Sequence, residues 1–239
     1  SVSAADRFSC GVTTAGAGYC WGYGGMGQLG DGTNTRSNVP VLVSGGHTWA
    51  SISPGEDSTC GVTTAGAGYC WGNNPYGNLG DGTTTDSSVP RLVNGGHTWA
   101  SINFNNYSPC GLTTTGVAYC WGYDGDNQLG GSSLSNGTPV SGGHIWASIN
   151  SGYQHSCGMT TAGEAYCWGD NVGGALGDGT TTDRNVPTLV SGGHTWASVS
   201  AGGGGTPQHT CGETTAGDLY CWGSNTWGQL GFVGPDHTP

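Results

Sequence analysis

A thirteen-residue cassette, C-G-x-T-T-x-G-x-x-Y-C-W-G, recurs five times, beginning at Cys10, Cys60, Cys110, Cys157 and Cys211. The spacings are 50, 50, 47 and 54 residues. A period near fifty built from short strand-like runs predicts an all-β repeat array of propeller blades. All ten cysteines lie inside the cassettes, always as C-x9-C.

One cassette predicts its own hairpin. Pairing Cys10 with Cys20 sets Gly11 opposite Tyr19, Val12 opposite Gly18 and Thr13 opposite Ala17, leaving Thr14-Ala15-Gly16 as a three-residue loop. Such loops close through a left-handed residue, and glycine stands there in every repeat, at Gly16, Gly66, Gly116, Gly163 and Gly217. Counted outward, the cysteines fall at a non-hydrogen-bonded pair, where Cα atoms approach to roughly 4.5 Å, within disulfide range. The expectation is five intra-hairpin disulfides: Cys10–Cys20, Cys60–Cys70, Cys110–Cys120, Cys157–Cys167 and Cys211–Cys221. The same register puts the cassette tyrosines over strand glycines, as rings that cover bare backbone. Val12, Val62, Leu112 and Met159 are expected between blades, with Glu213 a solvated departure.

Around each hairpin, W-A-S-I-S reads as the inner strand of a blade and V-P-V-L-V as its outer strand, because a proline is tolerated only at a sheet edge. The expected architecture is a single domain over 1–239, a five-bladed β-propeller of four-stranded antiparallel blades. The blades fall near 1–45, 46–95, 96–142, 143–192 and 193–239, in a ring about eleven residues short of five full periods, the alternative being a stretch of a longer array.

The run F-S-C-G-V-T-T-A-G-A-G-Y-C-W-G, followed by G-Q-L-G-D-G-T and a proline before an apolar strand, resembles the repeat of the regulator-of-chromosome-condensation family. The likeness is to its cysteine-bearing secreted bacterial branch and covers essentially the whole chain. It implies a propeller, whereas function depends on sites grafted on that scaffold. Members of the family are known for nucleotide exchange on a small GTPase, for ultraviolet-B reception and for β-lactamase inhibition through propeller loops. The first two rely on basic or arginine-rich surfaces that this chain lacks, so its repeated Trp49, Trp99, Trp146 and Trp196 are expected to be core. For the third, no residue match carries the target over.

Charge narrows the partners. There is no lysine, four arginines face fifteen acidic residues, and the formal net charge is −11. Nucleic acid and anionic membrane surfaces are therefore disfavoured, and no apolar run is long enough for membrane insertion as a helix. Five disulfides need an oxidising compartment, so the expected location is secreted or cell-surface. No catalytic constellation recurs, and no cofactor or metal is expected. The Asp31, Asp81 and Asp178 segments, D-G-T-x-T, read as hydrogen-bonded turns rather than calcium loops, and His47, His97, His144 and His194 as residues packed beside tryptophan.

Strands that alternate direction send successive loops to alternate ends. The T-A-G turns and S-G-G-H-T connections share one end and barely vary, whereas the loops flanking the cassettes share the other and differ strongly. Varied loops on a rigid scaffold are where recognition sits. The candidate contact residues are Arg7, Phe8, Tyr23, Asp57, Tyr76, Phe104, Tyr107, Tyr123, Asp124, Tyr153, His155, His209 and Trp227. The expected function is non-enzymatic binding of an extracellular protein. The alternatives are self-assembly as a structural subunit of an extracellular assembly or filament, and glycan binding as a lectin.

Overall fold

The computed structural model describes residues 1–104, 107–131, 138–202, 205 and 208–231. The sequence folds into five consecutive antiparallel sheets, each meandering in chain order. The first holds β1 Val2–Ala4, β2 Phe8–Val12, β3 Gly18–Gly22 and β4 Ser37–Leu42. The second holds β5 Trp49–Pro54, β6 Ser58–Thr63, β7 Gly68–Gly72 and β8 Ser87–Leu92. In the third are β9 Trp99–Asn103, β10 Cys110–Thr113 and β11 Ala118–Cys120. The fourth is β12 Trp146–Ser151, β13 His155–Thr160, β14 Ala165–Gly169 and β15 Arg184–Leu189, and the fifth β16 Trp196–Ala201, β17 His209–Thr214 and β18 Leu219–Gly223. These are blades in the expected order of inner strand, cassette hairpin and outer strand. In the third repeat Val140 N–H donates to Ala118 O at 2.9 Å, as Val43 N–H does to Gly18 O in the first. Residues 132–137, before it, and 232–239, where the outer strand of the fifth repeat is expected, lie outside the described residues.

The cassette register is the one the turn chemistry dictates. Cys10 pairs with Cys20, Gly11 with Tyr19 and Val12 with Gly18. Thr13 N–H then donates to Ala17 O at 2.9 Å, and Gly16 takes φ +81° to close the loop. A side chain at that φ would be strained, which fixes glycine there. All ten cysteines are disulfide-bonded, one bridge per hairpin, and the Cα atoms of the Cys10–Cys20 and Cys60–Cys70 pairs lie 4.1 and 4.0 Å apart. The bridge sits where two strands already approach most closely.

The tyrosines are opposite the strand glycines as expected, but they are not the rings that cover them. A Cβ on Gly61 would meet the Trp49 ring at 2.8 Å, and one on Gly111 would meet the Trp99 ring at 2.4 Å. The inner-strand tryptophan therefore lies across the cassette glycine. The cassette tyrosine is displaced onto the histidine, with His47 and Tyr69 ring centroids 4.2 Å apart. Facing residues in an antiparallel pair need not have touching side chains when a third strand supplies a larger ring.

Contacts divide the chain into two compact units, one built on Ser1–Thr114 with Trp121–Tyr123, the other on Thr115–Cys120, Asp124–Ser132 and Thr138–Pro239. In the first unit, Phe8, Leu29, Val43, Trp49, Ile52 and Trp71 form a core with the Cys10–Cys20 bridge. In the second, Leu176, Val190, Trp196, Val199 and Trp222 pack with Cys157 and Cys167. Of the residues expected between blades, Val62 and Leu112 are buried while Val12 and Met159 are half-buried. Glu213 is exposed.

Candidate functional site: the varied loops

The two varied loops of each repeat are stitched together by one main-chain bond that is independent of their sequences. Tyr23 N–H donates to Arg7 O at 2.9 Å, and Asn73, Tyr123, Asp170 and Ser224 donate likewise to Asp57, Tyr107, Gln154 and Gln208. At the other end of the sheets the invariant segments are stitched in the same way: Trp49 N–H donates to Gly16 O at 2.8 Å, and Thr64 N–H to Thr48 O at 2.9 Å. Main-chain bonds thus hold both ends, and side chains are free to vary at one of them.

In the first unit this arrangement gathers tyrosines from three loops. Tyr76, which follows the second cassette, has its ring 5.6 Å from Tyr107 and 4.9 Å from Tyr123, which flank the third. Tyr76 is 47% exposed, and Tyr107 and Tyr123 are half-buried beside it. Arg7 stacks over Tyr23 at 5.0 Å and donates from Nη2 to Asp57 Oδ1 at 2.9 Å. The Asp57 side chain is only 12% exposed, and Gln28 Nε2 also reaches it, at 3.4 Å. Arg7, Tyr23 and Asp57 therefore form one polar cluster, and Tyr76, Tyr107 and Tyr123 an aromatic set within the same unit.

In the second unit, Trp227 projects at 82% exposed, Tyr153 and His209 are half-buried, and Asp124 serves a turn. The Asp124 carboxylate accepts from Leu129 N–H at 3.1 Å, the place taken by Asn74, Asn171 and Asn225 before Leu79, Leu176 and Leu230. Burial, with a smaller push from Asp126, raises its pKa above the ordinary carboxylate value.

Three of the expected contact residues are withdrawn by burial. Phe8 and Phe104 are 3% and 5% exposed, and His155 is fully enclosed. Phe8 opens strand β2 with its ring in the core, because its neighbours Arg7 and Ser9 take the outward positions. Phe104 covers Gly55, where a Cβ would meet its ring at 2.1 Å. His155 pairs through Nδ1 with Gln208 Oε1 and through Nε2 with Thr210 Oγ1, the latter at 2.9 Å. Desolvation pushes its pKa down to about 4, against the Gln208 hydrogen bond and helped by His209.

Sequence reasoning missed the polar chain that surrounds this histidine. Gln208 Nε2 donates to Gln154 Oε1 at 2.8 Å and reaches Asp170 Oδ2 at 3.4 Å. Burial raises the Asp170 pKa, and Asp183 and Asp126 add to the rise. The available signal was register, since Gln154 and Gln208 occupy the places of Arg7, Asp57 and Tyr107. The D-G-T segments are turns as expected. Thr83 donates from N–H and Oγ1 to Asp81 Oδ1 at 3.0 and 2.8 Å, and Arg91 Nε reaches Asp81 Oδ2 at 3.3 Å. Burial pushes the Asp81 pKa up, but these bonds outweigh it and the net shift is down.

The family model described as regulator of chromosome condensation (RCC1) repeat matches residues 15–62, 66–102 and 162–206, more than half of the chain. A second model of the same description matches 146–174. No curated protein matches the sequence. Among solved structures, human WBSCR16 aligns with a TM-score of 0.82 at 19% identity, over 99% of this chain and 64% of that one. Prp20p from Saccharomyces cerevisiae, whose structure was described with its binding properties to Gsp1p and histones, aligns at 0.76 and 20% identity, over 89% of this chain and 55% of that one. The ectodomain of the Physcomitrella patens receptor kinase CR4 aligns at 0.60 and 24% identity, over 93% and 50%. This chain thus spans between half and two thirds of each of these structures. At such identities the likeness is one of fold.

Proposed function

This chain belongs to the regulator of chromosome condensation (RCC1) repeat family, and on that premise we propose that it is a non-enzymatic module that recognises a protein partner through its varied loops. The observation that carries this reading is the Tyr76–Tyr107–Tyr123 set, contributed by three loops and held by main-chain bonds that do not depend on it. Tyrosines at the surface supply large contact area at low entropic cost and a hydroxyl for the rim, which suits protein recognition. In the same unit the Arg7–Asp57 pair offers a fixed polar group on the loops before the first and second cassettes. With a net charge of −11, electrostatic steering favours a partner with a basic or neutral face.

Export fits the same reading, since five hairpin disulfides persist only where thiols are oxidised. The resemblance to the cysteine-bearing secreted bacterial branch agrees with it, as does an ectodomain among the structural neighbours. Prp20p, the neighbour described with its binding to Gsp1p and histones, is a precedent for protein partners on this scaffold. The test is capture of secreted proteins from the producing organism on the immobilised chain, followed by affinity measurement for the captured protein. Tyr76→Ala and Tyr123→Ala are expected to weaken it at least tenfold, and Thr64→Ala, at the opposite end, to leave it unchanged. The reverse pattern would refute the reading.

A second reading, self-assembly, has one observation in its favour. The outer strands carry exposed aliphatic side chains at repeated places: Val39 and Leu42 on β4, Val89 and Leu92 on β8. A concentration-independent monomer mass by light scattering would exclude it.

A further inference from the structure

One arginine of the first unit shows how the varied loops hold a cation. The Arg7 guanidinium lies over the Tyr23 ring, 5.0 Å from its centroid, and Nη2 donates to Asp57 Oδ1 at 2.9 Å. Ring and carboxylate come from different repeats, since Tyr23 follows the first cassette and Asp57 precedes the second. A guanidinium is planar and weakly hydrated, so it stacks on an aromatic face and still offers its edge N–H groups to a carboxylate.

Two repeats on, Tyr123 holds the place of Tyr23, and Tyr107 the place that Arg7 and Asp57 hold in the first two repeats. Tyr76 adds a third ring, 4.9 Å from Tyr123 and 5.6 Å from Tyr107, and is 47% exposed. Its turn is fixed by main chain and a hook: Tyr76 N–H donates to Asn78 Oδ1 at 3.2 Å, and Gly80 N–H to Gly77 O at 2.9 Å. Two carboxylates are tied to these loops. Asp86 Oδ1 accepts from Asn74 N–H at 2.7 Å, at the base of the turn that carries Tyr76. Glu56 follows Gly55, which lies against the Phe104 ring at the start of the loop that carries Tyr107. Among the described residues neither acid has an ion pair. Of this unit's arginines, Arg7 binds Asp57 and Arg91 binds Asp81, while Arg36 holds in the first repeat the place of Asp86. The third repeat's loops thus gather rings and acids without a base.

Resting on the loop-recognition reading above, we propose that Tyr76, Tyr107 and Tyr123 seat an arginine side chain of the protein partner, with Asp86 and Glu56 supplying the counter-charge. The phenol faces take the flat guanidinium as Tyr23 takes Arg7, and the carboxylates favour it over a neutral side chain of the same shape. A lysine ammonium brings the same charge but has no plane to stack, so arginine is the preferred guest. The net charge of −11 draws any basic partner, whereas the rings discriminate among basic side chains.

The test titrates the 239-residue chain with the end-blocked peptide Gly-Ser-Arg-Ser-Gly at physiological ionic strength, read by NMR on the tyrosine ring resonances. Saturable shifts are expected, with binding about fivefold weaker when citrulline, the neutral isostere, replaces arginine. Tyr76→Leu should weaken binding about fivefold, and Tyr76→Phe less than about twofold because it keeps the ring. Asp86→Asn should weaken it about two- to threefold. Asp218→Asn, which removes the same charge from a cassette turn, should leave it unchanged. No saturable binding, equal binding of the citrulline peptide, or equal losses in the two aspartate variants would overturn the proposal. A captured partner that needs Tyr76 while the arginine peptide does not bind would overturn this guest alone and leave the loop face as the recognition surface. A partner indifferent to Tyr76 would refute the loop reading itself.

Discussion

The indole nitrogen of Trp71 donates to the main-chain oxygen of Gln28 at 2.9 Å, tying the second cassette to the loop that follows the first. Thr59 Oγ1 donates to the same oxygen at 2.8 Å. Trp121, Trp168 and Trp222 repeat the bond to the oxygens of Asn78, Gln128 and Ala175. Because the acceptor is main chain, its side chain can be glutamine, asparagine or alanine without loss. The cassette tryptophan is therefore the fixed point from which the varied loop departs.

Trp71→Phe, which removes that donor and trims the buried ring, is expected to cost about 1–3 kcal/mol, since the buried oxygen keeps the Thr59 hydroxyl. Truncation to alanine should cost about 3–5 kcal/mol through the cavity it leaves. Denaturant unfolding at unchanged slope measures both. A Trp71→Ala variant as stable as the parent would contradict the anchoring role of this tryptophan.

Stability should fall on acidification because of His155. Its ordinary pKa is near 6.5, and in the fold it is about 4. Between those values the unfolded chain binds a proton that the folded chain does not, so stability declines as pH drops from about 6.5 to 4, by about 3 kcal/mol in all. Unfolding midpoints at pH 7 and pH 4.5, for the parent and for His155→Gln, read the effect. The variant should lose much of the pH dependence, and an unchanged dependence would assign it to other groups.

Position matters more than residue type at the variable place just before the cassette tyrosine. A Cβ on Gly68 would meet Ile102 Cδ1 at 2.6 Å and the Trp99 ring at 2.7 Å. The equivalent place holds Ala118 and Ala165, both 1% exposed, but Leu219 in the fifth repeat, 79% exposed. Gly68→Leu is expected to destabilise by more than about 2 kcal/mol by overpacking, and Leu219→Ala to stay within about 0.5 kcal/mol. Equal effects, by thermal unfolding, would contradict the packing described.

Each disulfide closes a short loop in a hairpin whose turn already holds it, so the chain-entropy gain of about 2–3 kcal/mol is an upper figure. The double substitution Cys60→Ser with Cys70→Ser should lower the melting temperature measurably, and full reduction should lower it further. An unchanged melting curve after confirmed reduction would refute the stapling role.

The scaffold was legible because periodicity, turn chemistry and cysteine spacing each point to the same register at Gly16 and at Cys10–Cys20. The site was legible only in outline. Loop membership put Tyr76, Tyr107 and Tyr123 in the candidate set, but it could not separate Tyr23 from Phe8 or Tyr153 from His155, because Phe8 and His155 open strands β2 and β13 with buried side chains while Tyr23 and Tyr153 lie in the loops. Nor could pairing reveal that Trp49, rather than Tyr69, covers Gly61, since that depends on a ring reaching over from a third strand. The Gln154–Gln208 contact joins residues of two repeats through their shared place in the period, a relation that only the three-dimensional stacking of sheets turns into a bond.

The most direct test of the loop face as the recognition surface is amide hydrogen exchange on the chain with and without its captured protein partner. Slowed exchange is expected at residues 73–78, 107–108 and 123–127, with 13–17 and 63–67 unchanged. Protection concentrated at 13–17 and 63–67, with the tyrosine-bearing loops unaffected, would contradict it.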